Sequence, residues 1–259
     1  MAFARRLAIL PGGLGGLGSS IGKKLRQQGV RLAILYAPFE AARRDQLLEE
    51  GYGGSSVNDI DTYECDITSP DSVQSAFLSL QKDMIAPDSS TWTESAFPSI
   101  LINTAGYVSL SDMESTPPEE TMKHLTTNVF GPMLCSQAFA NLLLCRVESR
   151  GPSAAGQDRQ HFFPGGTRGA TPARCVLRLQ SRGSRGITAN TVSPTVAWTA
   201  LGQKAWGEDS VRETFLKNIP TGKFALPDEV ADAVVFLCQD SSGMINGADI
   251  RVDGGFTIR

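Results

Sequence analysis

The chain has 259 residues, 41% of them hydrophobic and 20% charged, with 24 Lys and Arg against 27 Asp and Glu and a net charge of −3. This is an ordinary soluble composition, long enough for one α/β domain that buries about three quarters of its unfolded surface without disulfide or metal staples. Cys65, Cys135, Cys145, Cys175 and Cys238 stand singly, without CxxC spacing and in odd number, so they read as reduced thiols and leave no zinc site to expect. Arg5 and Arg6 precede an apolar run of only four residues, too short for a signal sequence or a membrane span of ~20, so the expected location is cytoplasmic.

In chain order, apolar runs of strand length fall at Leu7 to Leu10, Leu32 to Leu35, a stretch ending at Cys65, Ile100 to Ile102, Ile187 to Val192 and Ile250 to Val252. Helical spacing fills the intervals at Ile21 to Gln28, Pro70 to Lys82, Pro118 to Leu144, Val211 to Lys217 and Pro227 to Gln239. Short buried runs alternating with amphipathic helices predict βαβ units and a parallel sheet covered on both faces. No repeat or linker divides residues 1–259, so a single doubly wound, Rossmann-like domain is expected.

Between the first strand and first helix stands Pro11-Gly12-Gly13-Leu14-Gly15-Gly16-Leu17-Gly18. Glycines permit positive φ and close backbone approach, and the helix N-terminus behind them offers N–H groups and a positive dipole end to a pyrophosphate. After the first strand of an α/β chain, that pattern points to nucleotide binding.

Arg146 to Gly186 breaks the pattern. These 41 residues hold 8 of the 17 Arg, none of the 7 Lys, seven Gly and three Pro, with a net charge of +6 against −9 for the rest. A structureless insert of that size is foreign to a compact domain. A basic arm for nucleic acid is the rival reading, but aromatics beyond Phe162 and Phe163 are lacking, and no nucleic-acid or membrane partner is expected.

Gly12-xxx-Gly16-Leu17-Gly18, Asp66-Ile67, Asn103-Thr104-Ala105-Gly106, Asn128, Asn190 to Pro194 and Asp253-Gly254-Gly255 follow one another in order. Together they resemble the short-chain dehydrogenase/reductase family over residues 5–145 and 187–259. Ser193-PTVAWTALGQKAWG and the segments after it are similar to the L-xylulose (dicarbonyl) reductase branch and related polyol dehydrogenases. The resemblance implies that Gly12, Gly16, Leu17 and Gly18 hold the diphosphate of a dinucleotide. Asp66 and Ile67 would then border adenine, Asn103, Ala105 and Gly106 would support the adenosine ribose, and Ala197 and Thr199 would meet the nicotinamide amide. It also implies a homo-oligomer, tetramer or dimer, for the intact family and a small carbonyl or polyol substrate. Local roles are the alternatives: Asp66 as a cap after Thr68, Asn103 as a strand-end turn.

Where an acidic side chain at the end of the second strand would accept the ribose 2′-OH of NAD, this chain has Leu35-Tyr36-Ala37-Pro38. With Tyr36 there and Arg43 and Arg44 nearby, NADP is favoured over NAD, although the arginines could equally face solvent on a helix.

The family's chemistry needs a Tyr as general acid, a Lys beside it, an orienting Ser and an Asn. Asn128 matches the last, its alternative being a residue that bends its helix. No Tyr follows Tyr107 and no Lys lies between Lys123 and Lys204, so the YxxxK pair is absent. Possible codons for Gln157 to Phe163, shifted by one base, read KIVNISS, and those for Val176 to Gln180 read YSASK. These are the family's strand–serine motif and its Tyr-Lys motif, with the Tyr codon 13 after the second serine. Residues from about 146 to 181 are therefore read as out of frame, with some of the helix before Asn190 missing as well. The expectation is an NADP(H)-dependent oxidoreductase that is inactive as the literal chain. The alternative is a catalytically dead nucleotide-binding partner or regulator. Trp206, in a substrate-side stretch from Ala200 to Ile219, reads equally as core or as lid.

Overall fold

Five consecutive residues of β1 (Arg6–Pro11) and of β2 (Arg31–Tyr36) are buried, which is the mark of strands covered on both faces. In the computed structural model these strands form the centre of a seven-stranded sheet of order β3-β2-β1-β4-β5-β6-β7. The structure describes residues 3, 6–53, 59–85, 97–109, 113–148, 174–179 and 187–258. The remaining strands are β3 (Ile60–Glu64), β4 (Phe97–Asn103), β5 (Arg174–Leu179), β6 (Ile187–Pro194) and β7 (Asp249–Val252).

Alternation along β1 divides the core. Ala8 and Leu10 face Ile21 and Leu25 of α1 (Gly16–Gln27) and Val230 and Val234 of α8 (Pro227–Cys238). Leu7 and Ile9 face Val73, Phe77 and Leu80 of α3 (Pro70–Ile85) and Cys135 and Phe139 of α5 (Gly131–Glu148). Each face of the sheet is thus closed by helices whose apolar residues recur at three- and four-residue spacing. The doubly wound α/β fold is the one the sequence predicts.

Three local features depart from the sequence reading. A helix α2 (Arg44–Tyr52) follows a 3₁₀ turn at Pro38–Arg43, in a stretch whose charged composition hid it. The stretch from Pro118 is not one helix: α4 (Pro118–Leu125) passes through a π-helical turn at Thr126–Phe130 into α5. Such turns widen a helix locally and free carbonyls from the regular ladder.

The third departure lies in the sheet. β1, β2, β3 and β4 run parallel to one another, as do β6 and β7, but β5 is antiparallel to both neighbours. Asn103 faces Cys175 and Val192 faces Arg174 in this register. The start of β5, rather than its end, therefore reaches the edge where β4 and β6 finish. His161 to Phe163, by sequence the only three-residue stretch between Arg146 and Gly186 expected to imitate a strand, lie outside the described residues, and the strand that pairs lies elsewhere in that segment. Arg174–Leu179 is the run that pairs, an alternating stretch compatible with a strand by composition.

Beyond β6 come α6 (Ala200–Ala205) and α7 (Asp209–Leu216), and Phe215 and Leu216 of α7 join a smaller cluster around Val196, Ile219 and Phe224. Trp206 packs there with its ring centroid 4.4 Å from Phe215 and 5.9 Å from Phe224, so it is part of a core.

Candidate functional site

The turn after β1 is shaped by what its glycines exclude. Gly12 has φ +76°, and a Cβ on it would lie 2.5 Å from the Ala105 nitrogen. A Cβ on Gly18 would fall 2.3 Å from the Gly12 carbonyl oxygen and 2.8 Å from Thr104 Oγ1. One on Gly16 would touch Thr199 Cγ2 at 3.0 Å. These contacts bring the first strand's turn, the loop after β4 and the loop after β6 together at Gly12, Gly16, Gly18, Ala105 and Thr199. Leu17 is buried behind the turn.

Thr104 ties this corner down. Its N–H donates to the Pro11 carbonyl at 3.0 Å and its hydroxyl to the same oxygen at 2.8 Å, while the Ala105 N–H joins them at 2.8 Å. Thr104 stands inside the Asn103–Gly106 motif that the family resemblance singles out, and its bonds here are structural. Gly106, next in the loop, is exposed. Thr199 caps α6 by accepting the Gly202 N–H at 3.3 Å, and donates its own N–H to the Ala197 carbonyl at 2.7 Å. That carbonyl is covered by Gly202, where a Cβ would come within 2.2 Å of it.

Helix α1 begins at this corner with Gly15 as its N-cap, no side-chain cap and no acidic residue in its first turn. The N–H groups of Gly16, Leu17 and Gly18 have no intrahelical acceptor by α-helical geometry. A narrow floor without side chains, next to uncapped N–H groups at a helix's positive end, fits the diphosphate of a dinucleotide.

Asp66 and Ile67 sit at the end of the third strand in local roles. Asp66 Oδ1 accepts the Thr68 N–H at 2.9 Å and the Thr68 hydroxyl at 2.7 Å. Ile67 packs on the start of α5, where a Cβ on Gly131 would lie 2.7 Å from its Cδ1. Asn103 is buried, its Nδ2 3.4 Å from Ser136 Oγ and its Oδ1 without a partner.

At the end of β2, Tyr36 is buried and Arg44 stands beside it. The Arg44 guanidinium is held above its ordinary value first by hydrogen bonding to Asp45 and then to Tyr36. Glu40, which the sequence reading left out, reaches back to accept the Ala37 N–H at 2.8 Å. A carboxylate is therefore present at this strand end after all. The signal for it was Pro38 followed two residues later by Glu, half of a capping box.

Asn128 lies in the π turn, and its side chain both accepts the Tyr107 N–H and donates to the Tyr107 carbonyl, each at 2.8 Å. It fastens the loop after β4 to the α4–α5 helix as well as occupying the widened turn. Tyr107 itself donates its hydroxyl to Glu120, with Lys123 Nζ 4.8 Å from its ring centroid and the His124 ring centroid at 5.1 Å. The other phenols are committed elsewhere. Tyr52 donates to the Gly13 carbonyl, Tyr63 donates to Asp83 at 2.9 Å, and Tyr36 faces Arg44. All four tyrosines of the chain are accounted for, and none forms a Tyr–Lys pair hydrogen-bonded at the nucleotide turn. Among the described residues no group of three His, Cys, Asp or Glu could hold a metal, and no helix is long and apolar enough to cross a membrane.

Comparison with known proteins agrees with this geometry. A family model described as enoyl-(acyl carrier protein) reductase matches residues 12–150 and 180–257, leaving out most of the basic segment. A D-threitol dehydrogenase from Mycolicibacterium smegmatis is 33% identical over 262 residues, covering 98% of this chain and 94% of its own. The L-xylulose reductase of Homo sapiens is 31% identical over 163 residues, 61% of this chain and 67% of its own. A short-chain dehydrogenase/reductase from Serratia marcescens superposes with a TM-score of 0.68 at 19% identity, over 99% of this chain and all of that one. With the glycine turn closed against Ala105 and Thr199, a family model matching residues 12–150 and 180–257, and a 33% identical relative covering 98% of it, the chain belongs to the short-chain dehydrogenase/reductase family.

Proposed function

We propose that this gene specifies an NADP(H)-dependent oxidoreductase of a small carbonyl, sugar or polyol, and that the chain as written keeps its nucleotide half while lacking its catalytic centre. The observation that carries the reading is the convergence of Gly12, Gly16, Gly18, Ala105 and Thr199 at the uncapped start of α1. Bound there, a nicotinamide dinucleotide would supply hydride exchange with the substrate carbon. Gly12, Gly16, Leu17 and Gly18 would hold its diphosphate, Asn103, Ala105 and Gly106 its adenosine ribose, Asp66 and Ile67 the adenine edge, and Ala197 and Thr199 the carboxamide.

Asn128 would support the active-site loop through Tyr107, and the proton donor would be the tyrosine of the shifted reading frame. NADP is favoured because Arg44 lies beside Tyr36 and Arg43 precedes Arg44 in the chain, with Glu40 the acidic group that opposes them. The substrate class is taken from the relatives' names, D-threitol dehydrogenase and L-xylulose reductase. We place the protein in the cytoplasm as one domain, without nucleic-acid or membrane partners. Exposed Met122, Leu125, Val129, Phe130 and Met133 along α4 and α5 support a homo-oligomer, a dimer or tetramer.

Sequencing the transcript across codons 146–186 tests the frame. A message that restores the serine strand and the Tyr-Lys motif supports the enzyme reading, and a message that encodes Arg146 to Gly186 as written defeats it. A second reading, a nucleotide-binding protein without catalysis, is favoured by β5, which fills the sheet in antiparallel sense without any Tyr or Lys.

A further inference from the structure

Against the glycine turn lies a buried phenol that no part of the cofactor reading uses. Tyr52 is the last residue of α2 and only 6% exposed. Its hydroxyl donates to the Gly13 carbonyl at 2.7 Å and lies 3.3 Å from the Gly18 carbonyl. Both acceptors belong to the segment that would cradle the diphosphate.

The surroundings hold the phenol in place. Gly22 of α1 leaves the space, since a Cβ there would sit 2.5 Å from the Tyr52 hydroxyl. Arg26 of α1 donates to the Tyr52 carbonyl at 3.1 Å and to Asp59 Oδ2 at 3.0 Å, joining the end of α2 to the chain entering β3. Gly53 then turns the chain with φ +81°. Burial pushes the phenol well above its ordinary value, so it stays protonated and remains a donor.

A peptide unit is planar, with its C=O and N–H pointing in opposite directions. Fixing the Gly13 carbonyl toward Tyr52 therefore turns the Leu14 N–H of the same unit away from α2. The second contact, at Gly18, sits on the first turn of α1, whose N–H groups face the proposed ligand.

We propose that Tyr52 is a positioning residue for the nucleotide diphosphate, its hydroxyl setting the orientation of the Gly13 peptide and the seat of the α1 N-terminus. This rests on the dinucleotide reading above. Tyr52 touches no ligand and acts only through the turn.

The test uses the full chain, its Tyr52→Phe variant and two probes titrated by NMR or calorimetry: ADP-ribose, which contains the diphosphate, and 2′-AMP, which does not. Tyr52→Phe is expected to weaken ADP-ribose on the order of fivefold, a fraction of the cost of one buried hydrogen bond, and to leave 2′-AMP within about twofold. General loosening of the fold would weaken both probes alike, and that result overturns the proposal, as does unchanged ADP-ribose binding. If Tyr52→Phe does not fold, Gly22→Ala, whose Cβ must displace the hydroxyl, should show the same selective loss, and unchanged ADP-ribose binding would overturn the proposal. Failure of the unsubstituted chain to bind ADP-ribose at all defeats the dinucleotide reading and this inference together. Binding that survives in the unsubstituted chain but is not altered in either variant defeats this inference alone.

Discussion

The two sides of β1 form one sheet under different constraints. On the β2–β3 side, strands are parallel, registers are continuous from Leu7 to Pro11, and Leu7 to Leu10 of β1 alternate between two helix-covered layers. On the other side, β4 meets an antiparallel β5, and the Ser99 hydroxyl and Asn103 Oδ1 of β4 are buried without partners. Both residues share the β4 face that carries Leu101 into the core beside α3 and α5. Buried polar atoms are ordinarily paired, so two orphans on one face of one strand set β4 apart from β1 and β2. Ser99 lies where the β1–β4 register shifts between Leu7 and Ala8, and Asn103 lies at the end of β4, where its Nδ2 reaches Ser136. The β4–β5 ladder runs from Ile100 to Asn103.

The largest consequence of this contrast is catalytic. The chain as written should reduce small dicarbonyls or ketoses with NADPH no faster than background. A chain with the frame restored from about Cys145, and with the lost helix reinstated, should exceed it by at least 10²–10⁴-fold, roughly the contribution of a positioned general acid. Steady-state assays of both proteins, their masses verified, decide this. Robust turnover by the literal chain would remove the distinction between the two regions.

Stability should divide along the same line. Ile34→Ala, in β2 and fully buried, should cost about 2–5 kcal/mol in urea unfolding. Ser99→Ala, deleting an unpartnered buried hydroxyl, should be neutral or stabilising, because no bond is lost and an unsatisfied group disappears. Comparable losses in both variants would show that Ser99 is satisfied and the β4 face intact.

Nucleotide choice is the next effect in size. Tyr36→Asp should shift the ratio of NADPH to NADH dissociation constants toward NADH by about tenfold, as charge is added against a 2′-phosphate. Fluorescence titration of the full chain measures it without catalysis. An NADH preference in the unsubstituted chain would reject the NADP reading and promote Glu40, at Ala37, to the residue that sets specificity.

The smallest effect is expected far from the site, at the start of α8. Hydrogen bonding to Lys223 and then to the Leu226 N–H holds the Glu229 carboxyl below its usual range. A depressed carboxyl contributes stability that is fully present above the unfolded value of about 4.3 and is lost as pH falls through the lower folded value. The midpoint of thermal unfolding should therefore fall more steeply on the acid side for the parent chain than for Glu229→Gln. Parallel acid limbs would show that the cap contributes nothing measurable.

By itself the sequence determined the nucleotide half, because its constraints are local. Continuous apolar runs specify covered parallel strands, and Gly12 to Gly18 specify a turn that side chains cannot enter. It located Asn128 and the motif at Asn103 through a family pattern, and it exposed the missing Tyr and Lys by their absence from positions where codons shifted by one base would restore them. The tertiary structure decided what depends on contacts between distant segments. It turned Trp206 into core against Phe215 and Phe224. It also set Tyr52 behind Gly13, a pairing across 39 positions that no periodicity encodes. The sense of β5 belongs to the same class, since strand direction is fixed by where the chain enters the sheet and not by the alternation of its residues.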